Sequence, residues 1–281
     1  MPESYTPAGR LRSMLCASKG DPVADEVLIA VFVDYENLAL GVRDSKIGEF
    51  KIDLVLKRLL EKGRIVFKRA YCDWTRYREA MREFHGHGIE MVDIPQRRQG
   101  GKNSADIRMV VDALDLCYAK GHIDIFGLLS GDSDFSPVVH KLKENDKRVI
   151  GCGVKSSTSN LLIASCDEFI YYDDLVRAAE RSRPAAEARG RKGKPADKKS
   201  EAFERLLEIV RSLETDYDPL WGSLVKQTIR RVYPGFSEQY YGFPTFADLL
   251  EAAEDAGILA LDYDDSRGNY KVRTRPAAAA R

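Results

Sequence analysis

The stretch VLIAVFV, residues 27–33, is an unbroken apolar run rich in β-branched side chains. A strand with no polar face must be covered on both sides, as the central strands of parallel sheets are. The residues that follow keep to that architecture. Ile52, Val55, Leu56, Leu59 and Leu60 recur at helical spacing, and RIVFKRAYC (64–72) reads as a second strand. A helix is expected around 75–85, a third strand at IEMVDI (89–94), a helix around 103–119 and a fourth strand at IDIFGLLS (123–130). Ser136-Pro137 reads as a helix start, a capping hydroxyl followed by Pro at the first helical position. VIGCGV (149–154) and EFIYY (168–172) complete the set of strands. Repeated alternation of this kind predicts an α/β fold, a mostly parallel sheet flanked by helices.

The chain has 281 residues, enough for about two domains. Its 44 basic and 44 acidic residues cancel, but they are segregated. Residues 177–200 carry a net charge of +6 and almost no bulky apolar side chains, which predicts a flexible basic linker. The segments on either side, 27–176 and 201–281, come to −1 and −4. Residues 1–26 and 276–281 read as tails. In 201–275, AFERLLEIVRSL (202–213), LVKQTIRRVY (224–233) and PTFADLLEAAEDAG (244–257) read as helices, and ILALDYDDSRGNYKVR (258–273) as strand, turn, strand. Helices followed by one small hairpin predict a winged-helix-like domain.

Several classes are excluded or disfavoured by the same inventory. The longest apolar run has seven residues, against roughly 18 for a membrane span. No apolar segment in 1–26 resembles a secretory leader. The five cysteines are scattered and form no disulfide framework or metal knuckle, so a cytoplasmic protein with no membrane partner is expected.

In open α/β sheets, ligands bind at the carboxyl ends of the strands. Asp34 ends the first strand in FVDYENL, with Asn37 one turn on. Asp132 and Asp134 follow the fourth in LLSGDSDF, and Asp106 lies near the start of the helix after the third, in GGKNSADIRMVVD. Any one of these is a commonplace turn or cap former; four at one sheet edge are a pattern. Two carboxylates about 4 Å apart repel by roughly 4 kcal/mol at an effective dielectric near 20, so such a cluster calls for protons or a cation. Oxygen donors without suitably spaced Cys or His favour Mg²⁺ or Mn²⁺ over Zn²⁺. A hard cation so held suits phosphodiester hydrolysis.

FVDYENL, KNSADIRMVVD, LLSGDSDFSPVV and SCDEFIYYDDL resemble, in order and spacing, the NYN domains related to the LabA-like proteins, within the PIN-like nuclease superfamily. The resemblance covers about residues 28–174. It implies metal-dependent ribonuclease activity, with Asp34, Asp106, Asp132 and Asp134 as the metal-binding catalytic set and Asn37 and Ser130 as supporting polar groups. Asp112 lies about 240° around the helix from Asp106 and reads as structural; Asp167 also matches a family position. LWGSLVKQTIRRVYPGF and YYGFPTFADLLEAAEDAGILAL resemble the OST-HTH or LOTUS domain, a winged-helix module that binds RNA or protein. On it, Lys226 and Arg230 share a helix face, with Arg231 adjacent, while Arg267, Lys271 and Arg273 decorate the hairpin. The partner implied is RNA, single-stranded, with a protein as the alternative partner of the second module.

Other features divide between a functional and a bland role. Arg97, Arg98 and Lys102 flank the glycines of RRQGGKN, where a basic loop would guide a phosphate backbone. Tyr35 and Trp74 either stack on bases or pack the core. His85 and His87 fit cap and loop roles better than metal ligation. GCGVKSSTS lacks the ending of a P-loop, and its serines are expected to cap the next helix. The leading function is a Mg²⁺- or Mn²⁺-dependent ribonuclease with an RNA-binding module. The alternatives are a catalytically weak RNA-binding adaptor and a metal-dependent phosphoryl hydrolase of a small molecule.

Overall fold

A computed structural model describes residues 26–95, 104–187 and 195–275. Strands β1 (Leu28–Asp34), β2 (Arg64–Cys72), β3 (Glu90–Asp93), β4 (Ile125–Leu129), β5 (Arg148–Gly153) and β6 (Glu168–Tyr171) form one sheet in the order β3-β2-β1-β4-β5-β6, and every pairing is parallel. The unbroken apolar run is central, as its composition requires. Ile29, Val31 and Val33 enter one buried layer, whereas Ala30 and Phe32 enter the other. The first layer is closed by α1 (Tyr35–Asp44), α2 (Ile52–Lys62), α3 (Arg78–Gly86) and α7 (Tyr172–Glu187). The second is closed by α4 (Ser104–Ala119), α5 (Ser136–Glu144) and α6 (Asn160–Ser165). Helix α2 follows its apolar spacing, with Ile52, Val55, Leu56 and Leu59 buried.

The strand order has a consequence for function. The chain builds outward from β1 to β3, then returns to lay β4 against the other side of β1. The connections leaving β1 and β4 therefore diverge, and the gap between them is the ligand crevice of open α/β sheets.

Ser136-Pro137 does open α5, but Ser136 is not its cap. A short 3-10 turn, Ser133–Phe135, precedes the helix; Asp132 caps that turn, so Phe135 falls at the α5 cap position. The Ser136 hydroxyl is left buried without a partner among the described residues. The serines of GCGVKSSTS do as expected: Ser159 accepts from the Leu161 N–H and caps α6.

A second buried cluster is built from α8 (Pro195–Leu213), α9 (Gly222–Val232), α10 (Phe246–Asp255) and the antiparallel hairpin β7 (Leu259–Asp264) and β8 (Asn269–Thr274). Three helices and a hairpin follow the expected order. Of the segment read as a flexible linker, 177–187 belong to α7 and 195–200 to α8, while 188–194 lie outside the described residues. Its Ala, Glu, Lys and Arg content favours helix, and low hydrophobicity alone does not exclude it.

The C-terminal unit packs on the outer face of α2 through charged groups. Lys57 bonds Glu208 and, at 2.8 Å, the Tyr233 hydroxyl. Arg58 pairs with Glu61 at 2.7 Å and Asp216 at 3.0 Å and donates to Ser212 at 3.0 Å. Lys62, only 8% exposed, pairs with Asp216 at 3.0 Å and Glu168 at 2.8 Å. No helix among the described residues is long and apolar enough to cross a membrane.

Candidate functional site

The site grows from the last residue of β1. Asp34 lies beyond the Val33–Leu129 pair, where β1 and β4 part. Its Oδ1 accepts from the Asn37 N–H at 3.3 Å, capping α1, and its Oδ2 accepts from the Ser130 hydroxyl at 2.8 Å. The Asn37 side chain crosses the gap in the other direction, its Oδ1 accepting from the Gly131 N–H at 2.8 Å. The Asp132 N–H in turn donates to Ser130 Oγ at 3.2 Å, and Asp132 Oδ1 accepts from the Asp134 N–H at 2.9 Å. Asp34, Asn37, Ser130, Asp132 and Asp134 thus form one hydrogen-bonded chain across the switch point.

Gly131 makes the tight turn possible. A Cβ there would meet the Ser157 carbonyl at 2.8 Å and Thr158 Cα at 3.0 Å. The Gly131 carbonyl accepts from the Ser159 N–H at 2.9 Å, so the loop after β5 braces the site from behind.

Electrostatics single out two carboxyls. Asp34 is 7% exposed, and burial, opposed by the Ser130 bond and reinforced by the charges of Asp106 and Asp132, pushes it up to about 7. Asp106, in the first turn of α4, is pushed up to about 6 by burial and by the charges of Asp132, Asp134 and Glu36. The four expected aspartates therefore share one negative field, although they come from three separate segments. Glu36 belongs to the same field and was missed from sequence. It adjoins Tyr35 in FVDYENL and pairs with Arg76 at 2.8 Å; its place in the first turn of a helix capped by Asp34 is the available signal.

The donor set fits a hard divalent cation. All four side chains offer carboxylate oxygens; burial first, and the neighbouring charges second, disfavour the ionised Asp34 and Asp106, and a bound cation would offset both. As the side chains are placed, no three Asp, Glu, His or Cys groups among the described residues gather closely enough to form a ready metal cage.

The remaining sequence candidates fall elsewhere. Asp112 is structural, accepting from Arg69 at 2.8 Å, the Tyr71 hydroxyl at 2.9 Å and Arg108 at 3.0 Å. Asp167 accepts from the Val149 N–H at 2.7 Å and pairs with Lys143 at 2.9 Å; against burial, these bonds hold it below the usual carboxylate range. Tyr35 stacks on Trp74 with ring centroids 5.4 Å apart, and both are buried, so they pack the core. His87 is the α3 C-cap. Arg97, Arg98 and Lys102 lie outside the described residues. Lys226 sits over the Phe246 ring at 5.9 Å, and Arg230, largely exposed, pairs with Glu238 at 3.0 Å. Arg231 turns inward, donating to the Glu61 carbonyl and to Thr228 Oγ1.

Comparison with known proteins places these observations. The NYN domain family matches residues 28–173, the span of the six-stranded sheet. An uncharacterized protein of Methanocaldococcus jannaschii is 32% identical over 116 residues, 41% of this chain and 45% of that protein. The chain thus spans about half the length of the curated relative it matches. A crystal structure of a Vibrio parahaemolyticus protein of unknown function is similar at 25% identity with a TM-score of 0.49, covering 55% of this chain and 98% of that one.

Proposed function

Because the chain belongs to the NYN domain family, whose members are PIN-like, nuclease-type hydrolases, we propose that it is a divalent-metal-dependent ribonuclease. The observation that carries this reading is the hydrogen-bonded chain from Asp34 through Ser130 to Asp132 and Asp134, with Asp106 within the field of those charges. Asp34, Asp106, Asp132 and Asp134 would hold Mg²⁺ or Mn²⁺. When bound, the cation supplies charge neutralisation at the scissile phosphate and activation of the attacking water. Asn37 and Ser130 hold the carboxylates in register: Ser130 fixes the Asp34 rotamer, and Asn37 ties the turn after β4 to α1.

In this reading residues 27–176 are the hydrolase domain and 201–275 an OST-HTH-type, RNA-binding module of the LOTUS class. Lys226 and Arg230 are the module's proposed backbone contacts, with Arg97, Arg98 and Lys102 serving the crevice. Arg231 is assigned instead to the contact with α2. The substrate is single-stranded RNA and the setting cytoplasmic. The deciding experiment incubates the full chain with end-labelled single-stranded RNA in Mg²⁺, in Mn²⁺ and in EDTA. Cleavage that EDTA stops supports the proposal. RNA binding without cleavage in either metal would identify an adaptor, and hydrolysis of small phosphate esters alone would identify the third class.

A further inference from the structure

A cleft of about 650 Å³ runs along the edge strand β3 beneath α3, from Ile89 and Glu90 at the start of the strand to Asp93 and Thr75 at the carboxyl edge of the sheet. Met81, Ile89 and Met91 form its apolar lining, with Trp74 at the wall. Arg78, His85, Thr75, Asp93 and Glu90 supply polar groups, the Glu90 charge being paired with Arg69 at 2.7 Å. Two buried rings link the cleft to the end of β1: Asp34 is followed by Tyr35, whose ring stacks on Trp74, and Trp74 borders the cleft. The wall is rigid, since the Trp74 indole N–H donates to the Val92 carbonyl at 3.1 Å and its main-chain N–H to Asp93 Oδ1 at 3.1 Å. The side chains of Arg78 and His85 are exposed and have no partner among the described residues.

We propose that this α3–β3 cleft is a nucleobase subsite, taking an unpaired base of the single-stranded RNA whose backbone runs through the crevice. The inference rests on the ribonuclease reading above and adds a second binding site to it. A flat heteroaromatic ring suits the chemistry. Two polarizable thioethers and an isoleucine offer apolar contact that adapts to ring shape. Arg78 supplies a cation for the ring face or the adjoining phosphate, and His85 and Asp93 offer groups for the base edge. A pocket of this size is in the range that binds small ligands. A peptide added to the edge strand is less well served, because β3 has only four residues and so offers a short ladder.

The chain has five methionines, so methyl-¹³C methionine labelling of the full protein gives a simple spectrum, assigned with Met81→Leu and Met91→Leu. In EDTA, short single-stranded RNA should shift the Met81 and Met91 methyl signals through the base's ring current. The buried Met109 in α4 should stay unmoved. An abasic strand of the same length should leave Met81 and Met91 in place. The exposed double variant Arg78→Ala/His85→Ala should bind RNA about tenfold more weakly, the loss expected when one base contact fails. Met81 and Met91 signals unmoved at saturating RNA, or moved equally by the abasic strand, would overturn the subsite. Cleavage assays in Mn²⁺ separate the two proposals: a protein that cuts RNA while these methyls stay still loses the subsite alone. A protein that neither cuts nor binds RNA loses both.

Discussion

Arg231 of α9 donates a guanidinium N–H to the main-chain carbonyl of Glu61 at 3.0 Å, joining residues 170 positions apart in sequence. Next to that bond, Glu61 accepts from Arg58 and from the Ser212 hydroxyl at 2.5 Å, and its side chain is only 6% exposed. The C-terminal unit is therefore held on α2 by a partly buried polar network and not merely by the chain between them. This network leaves α2 near Lys62 and reaches Glu168, the first residue of β6, away from the crevice where β1 ends.

We expect Arg58→Met to lower stability by about 3 kcal/mol, because it leaves Glu61 buried with one charge partner fewer. Adding Glu61→Gln should recover most of that loss in urea unfolding. Asp216 adds a pH signature: against burial, Lys62 and Arg58 hold its carboxyl below the usual range. A depressed folded value means that the stabilisation is present above the unfolded value near 3.8 and lost as pH falls through the folded one. The contact should thus loosen only below about pH 3.8, which limited proteolysis with an acid-active protease across pH 2–5 would detect.

Asp132→Asn should nearly abolish metal-dependent cleavage while preserving the fold. The amide oxygen can still accept from the Asp134 N–H and cap the 3-10 turn, but the anionic donor is gone. Asp106 also loses a repelling neighbour, so in EDTA the variant should melt at the same temperature or slightly higher. Full activity would remove this residue from the proposed catalytic set.

The Asp34 carboxyl gives the metal-free protein an inverted pH dependence. Its folded value near 7 exceeds the unfolded 3.8, so the folded state binds the extra proton between them and stability falls as pH rises through that window. From pH 5 to 8 the loss from this group is about 3 kcal/mol. Asp106, raised to about 6, adds to the same slope. Asp34→Asn should flatten most of the decline in thermal melts run in EDTA, and Mn²⁺ should raise wild-type stability most at the alkaline end. A wild-type melting profile rising from pH 5 to 8 in EDTA would contradict the buried placement of this carboxyl.

Gly131→Ala tests the brace behind the site. The added methyl would meet main-chain atoms of Ser157 and Thr158, which cannot swing aside as a flexible side chain can. We expect about 1–3 kcal/mol of destabilisation, typical of overpacking. Cleavage should fall further than stability, because the Gly131 N–H that holds Asn37 would shift. Equal losses would show that the turn relaxes without moving the carboxylates.

Much of the frame is legible in the sequence because its signals are local. Two-sided burial demands the unbroken run at β1, and one-sided burial imposes the helical spacing of Ile52, Val55, Leu56 and Leu59. Parallel strands put their carboxyl ends on one edge, so Asp34, Asp132 and Asp134 could be grouped from strand positions alone. Tertiary structure decided the rest. Only the strand order sets β1 beside β4, and so lets Ser130 reach Asp34 across 96 residues. Only packing turns Tyr35 and Trp74 into the core, aims Arg231 at Glu61 rather than at solvent, and brings Glu36 into the field of Asp106. Periodicity records whether a side chain faces apolar surroundings or water. Which distant group it meets there depends on how the layers dock, and no local pattern in the chain carries that information.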